Sequence, residues 1–576
     1  MDLEQNATDR APGPRGKRAV WTVSLLLAIL ALAAIVRFWG LTERELWFDE
    51  NCTFYVVHHL LDWPTDGPGI SQVAHWPYFA FLCGWTRLAG ETLDGMRTFS
   101  ALCGVLGVFA IWLVARRLGG RSLAHSVGLL AALSPISVYY GREARCYAFW
   151  LFVVAITIYF LCRAARTGRI RWWILYGCSA LFAVLTHYSF LVWLPGTAAA
   201  VLIGRSARQF WRKWSITHVV LGLALMPVVW WLVMPVAAGG PKPWFREIWA
   251  AYPPALAVPR SIWSMLPSGG YPDYLGALSK ASPGLSWHTA PIVGHLILWV
   301  PATVLVVLAG IYVWSCGRSS PPTGVPTVHE IGTTSESLRD LDRTLAFLLI
   351  LSLANLLGAF LYSALWEPAY VVGRYDLASW PSLILCVGLL IERVSQSIPR
   401  SAKGTAVMRL VLVGVMCGCS AAVVGGMRLV PVDNSATRRA EQIVARVGPG
   451  DLVVSLNKYN QFVLYPWYRL GFKAEVISFP PQHDRQLCWY DAEAELADPG
   501  AIVQGVEEVA RRIEIARENG RSVWLLAHGQ PVGARWEVDR HFYKRVVEMG
   551  FDIQPVNDEL GLAKLVPLEA DSRARE

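Results

Sequence analysis

Two adjacent carboxylates, Asp49 and Glu50, occupy the short polar stretch Trp47-Phe48-Asp49-Glu50-Asn51, directly after the first long apolar run. A carboxylate can orient and deprotonate a hydroxyl, and two close carboxylates raise one pKa of the pair, which suits a general base. A charge in hydrocarbon costs about 2.5–3.5 kcal/mol even on the mildest scale. The pair is therefore expected at a membrane surface, facing a cavity rather than lipid. Glu50 reads as a tuner of Asp49 or as a solvated neighbour. Three further patches and a lone histidine carry compatible chemistry: His75-Trp-Pro77, Tyr140-Gly-Arg-Glu-Ala-Arg145, His187 and Gly373-Arg-Tyr-Asp376. A guanidinium fork matches two phosphate oxygens, so Arg374 is the leading phosphate ligand, with Tyr375 as an added hydroxyl donor and Arg145 as a second cation. Glu143 could bind hydroxyl groups, hold a divalent ion, or pair with Arg142 or Arg145. No His/Asp/Glu cluster has metal-ligand spacing; no cofactor is certain, and a divalent cation at Glu143 stays open. His75 and His187 could bind a ligand or serve as satisfied structural histidines. Lys242 and Arg246 are lesser candidates.

The elements that must position these groups are mostly membrane spans. The 576 residues are 54% hydrophobic, with a mean hydropathy of +0.37, which few soluble chains of this length reach. Apolar runs long enough to cross a bilayer are expected at 19–37, 97–115, 122–140, 147–163, 171–186, 187–204, 215–235, 288–313, 344–362, 377–392 and 408–428. The stretch 76–90 contains Pro77 and Gly84 and is short for a span; it reads as interfacial. With that choice the arginine clusters at 116–121, 163–171, 205–213 and 393–409 all fall on one side, as the positive-inside rule requires. Asp49, Glu50, His75, Glu143, Arg145, His187, Glu367 and Arg374 then share the outer face. Residues 1–18 read as a disordered cytoplasmic tail, 38–96 and 236–287 as outer loops, and 314–343 as a polar inner loop with an amphipathic end. The cysteines show no metal spacing and read as packing residues.

Residues 431–576 hold 18 Lys+Arg and 22 Asp+Glu, whereas the rest of the chain holds 34 and 21. The basic excess is thus topology signalling in the membrane part, which excludes a nucleic-acid surface as its purpose. The acidic tail reads as a soluble α/β domain outside the membrane. Strands are expected at 451–456, 472–479 and 523–527, and helices at 459–469, 506–519 and 541–549.

Three patches in order, Glu45-Leu-Trp-Phe-Asp-Glu50, Ser134-Pro-Ile-Ser-Val-Tyr-Tyr-Gly-Arg-Glu-Ala-Arg-Cys-Tyr147 and Gly373-Arg-Tyr-Asp376 with Pro381, carry a resemblance. The chain resembles the membrane glycosyltransferases of the GT-C fold, in the branch of protein O-mannosyltransferase-like and aminoarabinose-transferase-like enzymes (glycosyltransferase family 39-like). The resemblance implies a polytopic α-helical GT-C domain over 19–430, followed by a soluble α/β domain. It implies transfer of a sugar from a polyprenyl-phosphate donor to an envelope glycan, lipid or protein acceptor, outside the cytoplasmic membrane. It places the catalytic acid position on Asp49 and the second acidic position on Glu143. The chain departs from some relatives in having His75 where they carry lysine before the proline, and Glu143 where they carry aspartate. Two other classes remain: a transporter or flippase of lipid-linked glycans, which would show internal repeats and mid-membrane charges, and a noncatalytic assembly protein that would not need the chemistry of Asp49.

Overall fold

A computed structural model describes residues 14–58, 75–203, 211–230, 254–266, 290–317, 331–365, 370–397, 401–427, 434–456, 464–481, 495–527, 534–557 and 561–568. Glu367, Lys242 and Arg246 lie outside the described residues. In chain order the helices of the first half are α1 (Pro14–Phe38), α2 (Phe48–His58), α3 (Trp76–Ala89), α4 (Leu93–Leu133), α5 (Pro135–Tyr140), α6 (Tyr147–Thr167), α7 (Ile170–Thr186), α8 (Phe190–Ile203) and α9 (Trp211–Val228). Next come α10 (Pro254–Met265), α11 (Ala290–Gly317), α12 (Ile331–Leu365), α13 (Trp380–Ser397) and α14 (Ala402–Gly426). The remaining elements are α15 (Ser435–Val444), β1 (Leu452–Leu456), α16 (Leu464–Arg469), β2 (Glu475–Phe479), α17 (Pro499–Glu518), β3 (Val523–Leu526), α18 (Ala534–Glu548), β4 (Phe551–Asn557) and β5 (Leu562–Pro567). By its internal contacts the chain divides into a unit of residues 1–41 with 97–431 and a unit of residues 42–96 with 432–576. The segment carrying Asp49, Glu50 and His75 thus groups with the C-terminal sheet.

The first unit is a helical membrane domain. Among the described residues six helices are long and apolar enough to cross a membrane: Ala19–Phe38, Leu93–Leu133, Tyr147–Thr167, Leu341–Leu365, Leu377–Ser397 and Ala402–Gly426. Each of the eleven expected spans falls at least in part on a described helix. Their boundaries need four corrections. The tail expectation for 1–18 fails at its end, because helix begins at Pro14. Spans 97–115 and 122–140 share α4, whose break is at Gly119-Gly120, where Gly120 adopts φ +83°, a conformation open to glycine. The second of these spans ends at Leu133 instead of 140. Pro135 has no amide hydrogen and drives Ser134 out of helical geometry, to φ −58° and ψ 120°. The loops 236–287 and 314–343 contain helix: α10 lies inside the first, and the amphipathic end of the second is the opening of α12, with Leu341 and Leu345 buried. Helices α8 and α12 approach closely because Gly196 faces Ala354 and Gly358 faces Val192, the small-residue packing that membrane helices use.

The second unit holds a five-stranded sheet in the order β2-β1-β3-β5-β4. β1 pairs in parallel with β2 and β3, and β5 pairs antiparallel with β3 and β4. Strand alternation sorts the apolar residues onto two faces. Leu452, Val454 and Leu456 pack with Ile477, Phe479 and Leu525 under Val506, Val509 and Ile513 of α17 and Phe542 and Val546 of α18. On the other face Val453, Trp524 and Leu526 pack against Ala440 and Ile443 of α15 and against Trp467. Helix α17 starts earlier than expected: the Asp498 side chain accepts from the amide of Ala501 at 3.1 Å, and Pro499 follows it. The strand expected from 472 begins at Glu475, the helix expected at 541–549 extends back to Ala534, and the described part of 459–469 is helical from Leu464.

Arg512 and Arg521 both bind the Glu475 carboxylate, the second at 2.7 Å. The hydrogen bond from Arg512 holds this carboxyl below the usual carboxylate range, against a smaller opposing effect of burial. A depressed carboxyl contributes stability above its unfolded pKa and loses it as pH falls through the folded value. Glu475→Gln is therefore expected to flatten the acid side of the stability profile below about pH 5, read by hydrogen exchange of β2 in the full-length protein.

Candidate active site

Within the second unit, Asp49 and Glu50 lie in the first turn of α2. The Glu50 Oε2 accepts from the amide of Trp47 at 3.4 Å, the reach-back half of a capping box, and Glu50 is fully buried. Asp49 stays half-buried, in the first turn of α2. Its carbonyl accepts from the Thr53 hydroxyl at 3.1 Å. Asn51 donates to the Leu46 carbonyl at 2.8 Å and accepts from the Tyr465 amide at 3.1 Å, a role that no local sequence pattern marks. It fixes the Asp49 turn to α16. His75 precedes α3, which packs on α2, and its ring lies 6.4 Å from that of Phe79.

Within the first unit, five of the expected residues come together. Glu143 and Arg145 occupy the turn between α5 and α6, closed by the Arg145 amide on the Glu143 carbonyl at 2.8 Å; Glu143 is buried and Arg145 half-buried. The turn is flanked by Tyr140 and Tyr147, whose rings are 4.5 Å apart. Tyr140 donates to the carbonyl of Gly373, the residue before Arg374. Gly373 holds φ +76°, which lets the chain reverse before Arg374. His187 ends α7, stacks on Trp150 at 4.5 Å and lies 5.9 Å from Tyr147 and 5.4 Å from Tyr375, ring to ring. Its Nδ1 is 2.8 Å from the Ser189 hydroxyl. The Tyr188 hydroxyl donates to that of Tyr375 at 3.2 Å. Arg374 and Tyr375 themselves remain half-buried.

The segment bearing Arg374 is anchored by its neighbour. Asp376 is fully buried and accepts from the Tyr370 hydroxyl at 3.2 Å, and its carbonyl accepts from Asn355 of α12 at 2.9 Å. Ser261 of α10 lies 2.5 Å from the Tyr370 hydroxyl, which ties the helix inside the 236–287 loop to this segment. Among the described residues no three His, Cys, Asp or Glu side chains form a metal-holding group.

Arg37 is a positioning residue hidden in an apolar run. Ile29, Ala33 and Arg37 share the buried face of α1 at four-residue steps. The Arg37 guanidinium donates to the carbonyls of Ala33 and Ala132 at 3.0 Å each and to the Ser137 hydroxyl at 2.8 Å. It thereby fastens both sides of the Ser134-Pro135 break that leads to Glu143. Gly104 clears the space: a Cβ there would lie 2.6 Å from Arg37 Nε. Arg37→Leu leaves those acceptors unsatisfied, at about 1–3 kcal/mol for a buried group. A lower unfolding temperature of the detergent-solubilised protein is expected.

A separate apolar groove of about 560 Å3 runs between α8 and α9, lined by Leu191, Leu194, Leu221, Leu225 and Trp230 with His218 among them. His218 Nδ1 is 2.9 Å from the Trp214 carbonyl, and its Nε2 is near the hydroxyls of Thr197 and Tyr176 at 3.1 and 3.2 Å.

Residues 75–232 match the family described as dolichyl-phosphate-mannose-protein mannosyltransferase. Among solved structures the chain is similar to ArnT from Cupriavidus metallidurans in the apo state, with 14% identity, a TM-score of 0.52, and 95% of this chain and 98% of that one covered. ArnT from the same organism bound to undecaprenyl phosphate gives 13% identity, a TM-score of 0.50 and the same coverage. No curated protein matches the sequence. The chain is a multi-pass membrane protein with the fold of the GT-C membrane glycosyltransferases and a small C-terminal sheet domain.

Proposed function

We propose that the protein transfers a sugar from a polyprenyl-phosphate donor to an acceptor hydroxyl at the outer face of the cytoplasmic membrane. The observation that carries this reading is the grouping of Arg374 and Tyr375 with the Glu143-Arg145 turn around His187, within a GT-C fold. In the proposed step the acceptor oxygen forms a bond to the anomeric carbon as the bond from that carbon to the phosphate oxygen breaks. Asp49 takes the acceptor proton, and the electron pair of the broken bond leaves on the polyprenyl phosphate. That phosphate carries much of its charge before transfer, so the main need is a cationic partner, not a strong acid. Arg374 supplies the guanidinium fork, Tyr375 a hydroxyl donor, and Arg145 and His187 the neighbouring polar wall; His75 also belongs to the donor side. Glu143 orients sugar or acceptor hydroxyls, and should a divalent cation bind it would do so there. Glu50 keeps the turn that presents Asp49. The apolar groove between α8 and α9 suits a prenyl chain. The undecaprenyl phosphate bound to the similar ArnT structure supports a donor of this class. In this reading residues 1–18 are cytoplasmic, and residues 431–576 and the acceptor, whether an envelope glycan, lipid or protein, are extracytoplasmic.

The test is reconstitution in liposomes with a panel of radiolabelled polyprenyl-phosphate sugars. Release of polyprenyl phosphate from one donor, matched by label in an acceptor, supports the reading. Movement of intact donor across the bilayer without cleavage replaces it with the flippase reading.

A further inference from the structure

The second unit contains a polar cleft of about 530 Å3, within the range of small-molecule sites. Its wall is made by the chain leading into α2, by the start of α15 and by α16. Three arginines, Arg44, Arg438 and Arg469, and three glutamates, Glu43, Glu45 and Glu441, line it together with Tyr465 and Pro466. This balance decides the ligand class. A phosphate site would be cationic and would use the free amides of a helix start. Here Glu45 already fills the start of α15, accepting from the amides of Ala436 at 3.1 Å and Thr437 at 2.9 Å. Arg438, Arg469, Glu43 and Glu441 offer donors and acceptors in one cleft, which is what hydroxyl groups need, since each both donates and accepts. Next to the lining residue Tyr465 stands a cluster of aromatic rings. Tyr465 is held by the Leu93 amide on its hydroxyl at 2.8 Å and meets Phe54 edge-on at 5.2 Å. Tyr468 packs on Phe54 and His58, both at 5.1 Å, and keeps half of its surface exposed. A ring with an apolar face and a polar tip suits a surface that is partly C–H and partly hydroxyl.

We propose that this cleft is a saccharide-binding site that takes a short neutral glycan and holds the acceptor for transfer. The second half of that statement rests on the transfer reading above; the first does not. The coupling to chemistry is local. The cleft wall ends at Leu46, and Asn51 bonds both the Leu46 carbonyl and the Tyr465 amide, so the wall and the Asp49 turn are one strapped piece.

The experiment uses full-length protein in phosphatidylcholine nanodiscs. Maltotriose, mannotriose and chitotriose are titrated and followed by saturation-transfer NMR and calorimetry. Wild type, Arg469→Ala and Arg438→Ala are compared, with unfolding temperatures to show that the exposed substitutions leave the fold intact. At least one trisaccharide is expected to bind wild type, with affinity falling tenfold or more in both variants. Binding of none of the three, or equal binding in wild type and variants, overturns the proposal. Displacement of the sugar by millimolar inorganic phosphate also overturns it, in favour of an anion patch. Cleavage of polyprenyl-phosphate sugars is measured in parallel. Saccharide binding without cleavage of any donor keeps the binding site and removes the transfer reading; cleavage without saccharide binding does the reverse.

Discussion

Asp49→Asn is expected to lower sugar transfer by about 10²–10⁴-fold, the range for loss of a positioned general base, at unchanged expression and unchanged donor binding. The amide keeps the size and the helix-start position of the carboxylate but cannot take the acceptor proton. The pattern to look for is a fall in kcat with KM for the donor preserved, since the interaction removed belongs to the transition state. Asp49→Glu keeps the base and moves it by one methylene, so a smaller loss is expected. Radiolabel transfer in membranes, with protein quantified by immunoblot, separates these outcomes. Equal transfer by wild type and Asp49→Asn would remove this residue from the chemistry.

Arg374→Ala is expected to weaken use of the lipid-phosphate donor by roughly 10–100-fold, from the 1.5–3 kcal/mol typical of hydrogen bonds to charged groups. Arg374→Lys restores the charge but not the two-pronged geometry, so only part of the loss should return. The readout is the donor concentration dependence of transfer, with direct binding of polyprenyl phosphate as a second measurement. Unfolding temperatures of both variants separate a loss of fold from a loss of donor use. Asp376, Tyr370 and Asn355 anchor the segment that carries Arg374. Unaltered donor affinity in Arg374→Ala would move the phosphate site elsewhere.

The membrane part of the fold was legible because apolar runs and arginine-flanked loops are set by the bilayer, whatever the chain packs against. Local breaks were harder. Pro135 stood in the open, yet the run through Tyr140 is apolar enough to read as one span. Only the packing shows the helix stopping at Leu133, with Arg37 and Trp380 bonding the residues around the gap. Arg37 itself looked like the polar end of the first span. Its meaning depends on Gly104 and Gly141, which are distant in sequence and leave room for its side chain. In the C-terminal domain the apolar runs of β1, β2 and β3 are legible, although β2 begins at Glu475 and not at 472. The β4–β5 hairpin was missed because β4 is mostly exposed, and an edge strand lacks the apolar signature of a central one. At the candidate site, residue type pointed to Glu143, Arg145, His187, Arg374 and Tyr375. The aromatic frame of Tyr140, Tyr147 and Trp150 that gathers them gave no separate signal, since aromatics are abundant in any membrane protein. Glu50 and Asn51 show a different limit: their helix-capping and strapping bonds involve Trp47, Leu46 and Tyr465, the last of which no local pattern could name.

The partition that joins residues 42–96 to residues 432–576 has a consequence for biosynthesis. Glu45 and the amide of Ala436 are 391 residues apart in sequence. At about 5–20 residues per second, the turn that carries Asp49 is made roughly 20–80 s before α15 exists to receive it. Until then Asn51 has no Tyr465 amide, and Glu45 has no helix start. The acidic turn thus completes its fold only when the last quarter of the chain arrives. A chain stopped at residue 431 would have all the expected spans in hand and none of the sheet domain that latches its proposed base. Protease protection of the 42–58 segment in ribosome-stalled chains of increasing length should therefore appear late, after residue 469, and not when the last span inserts.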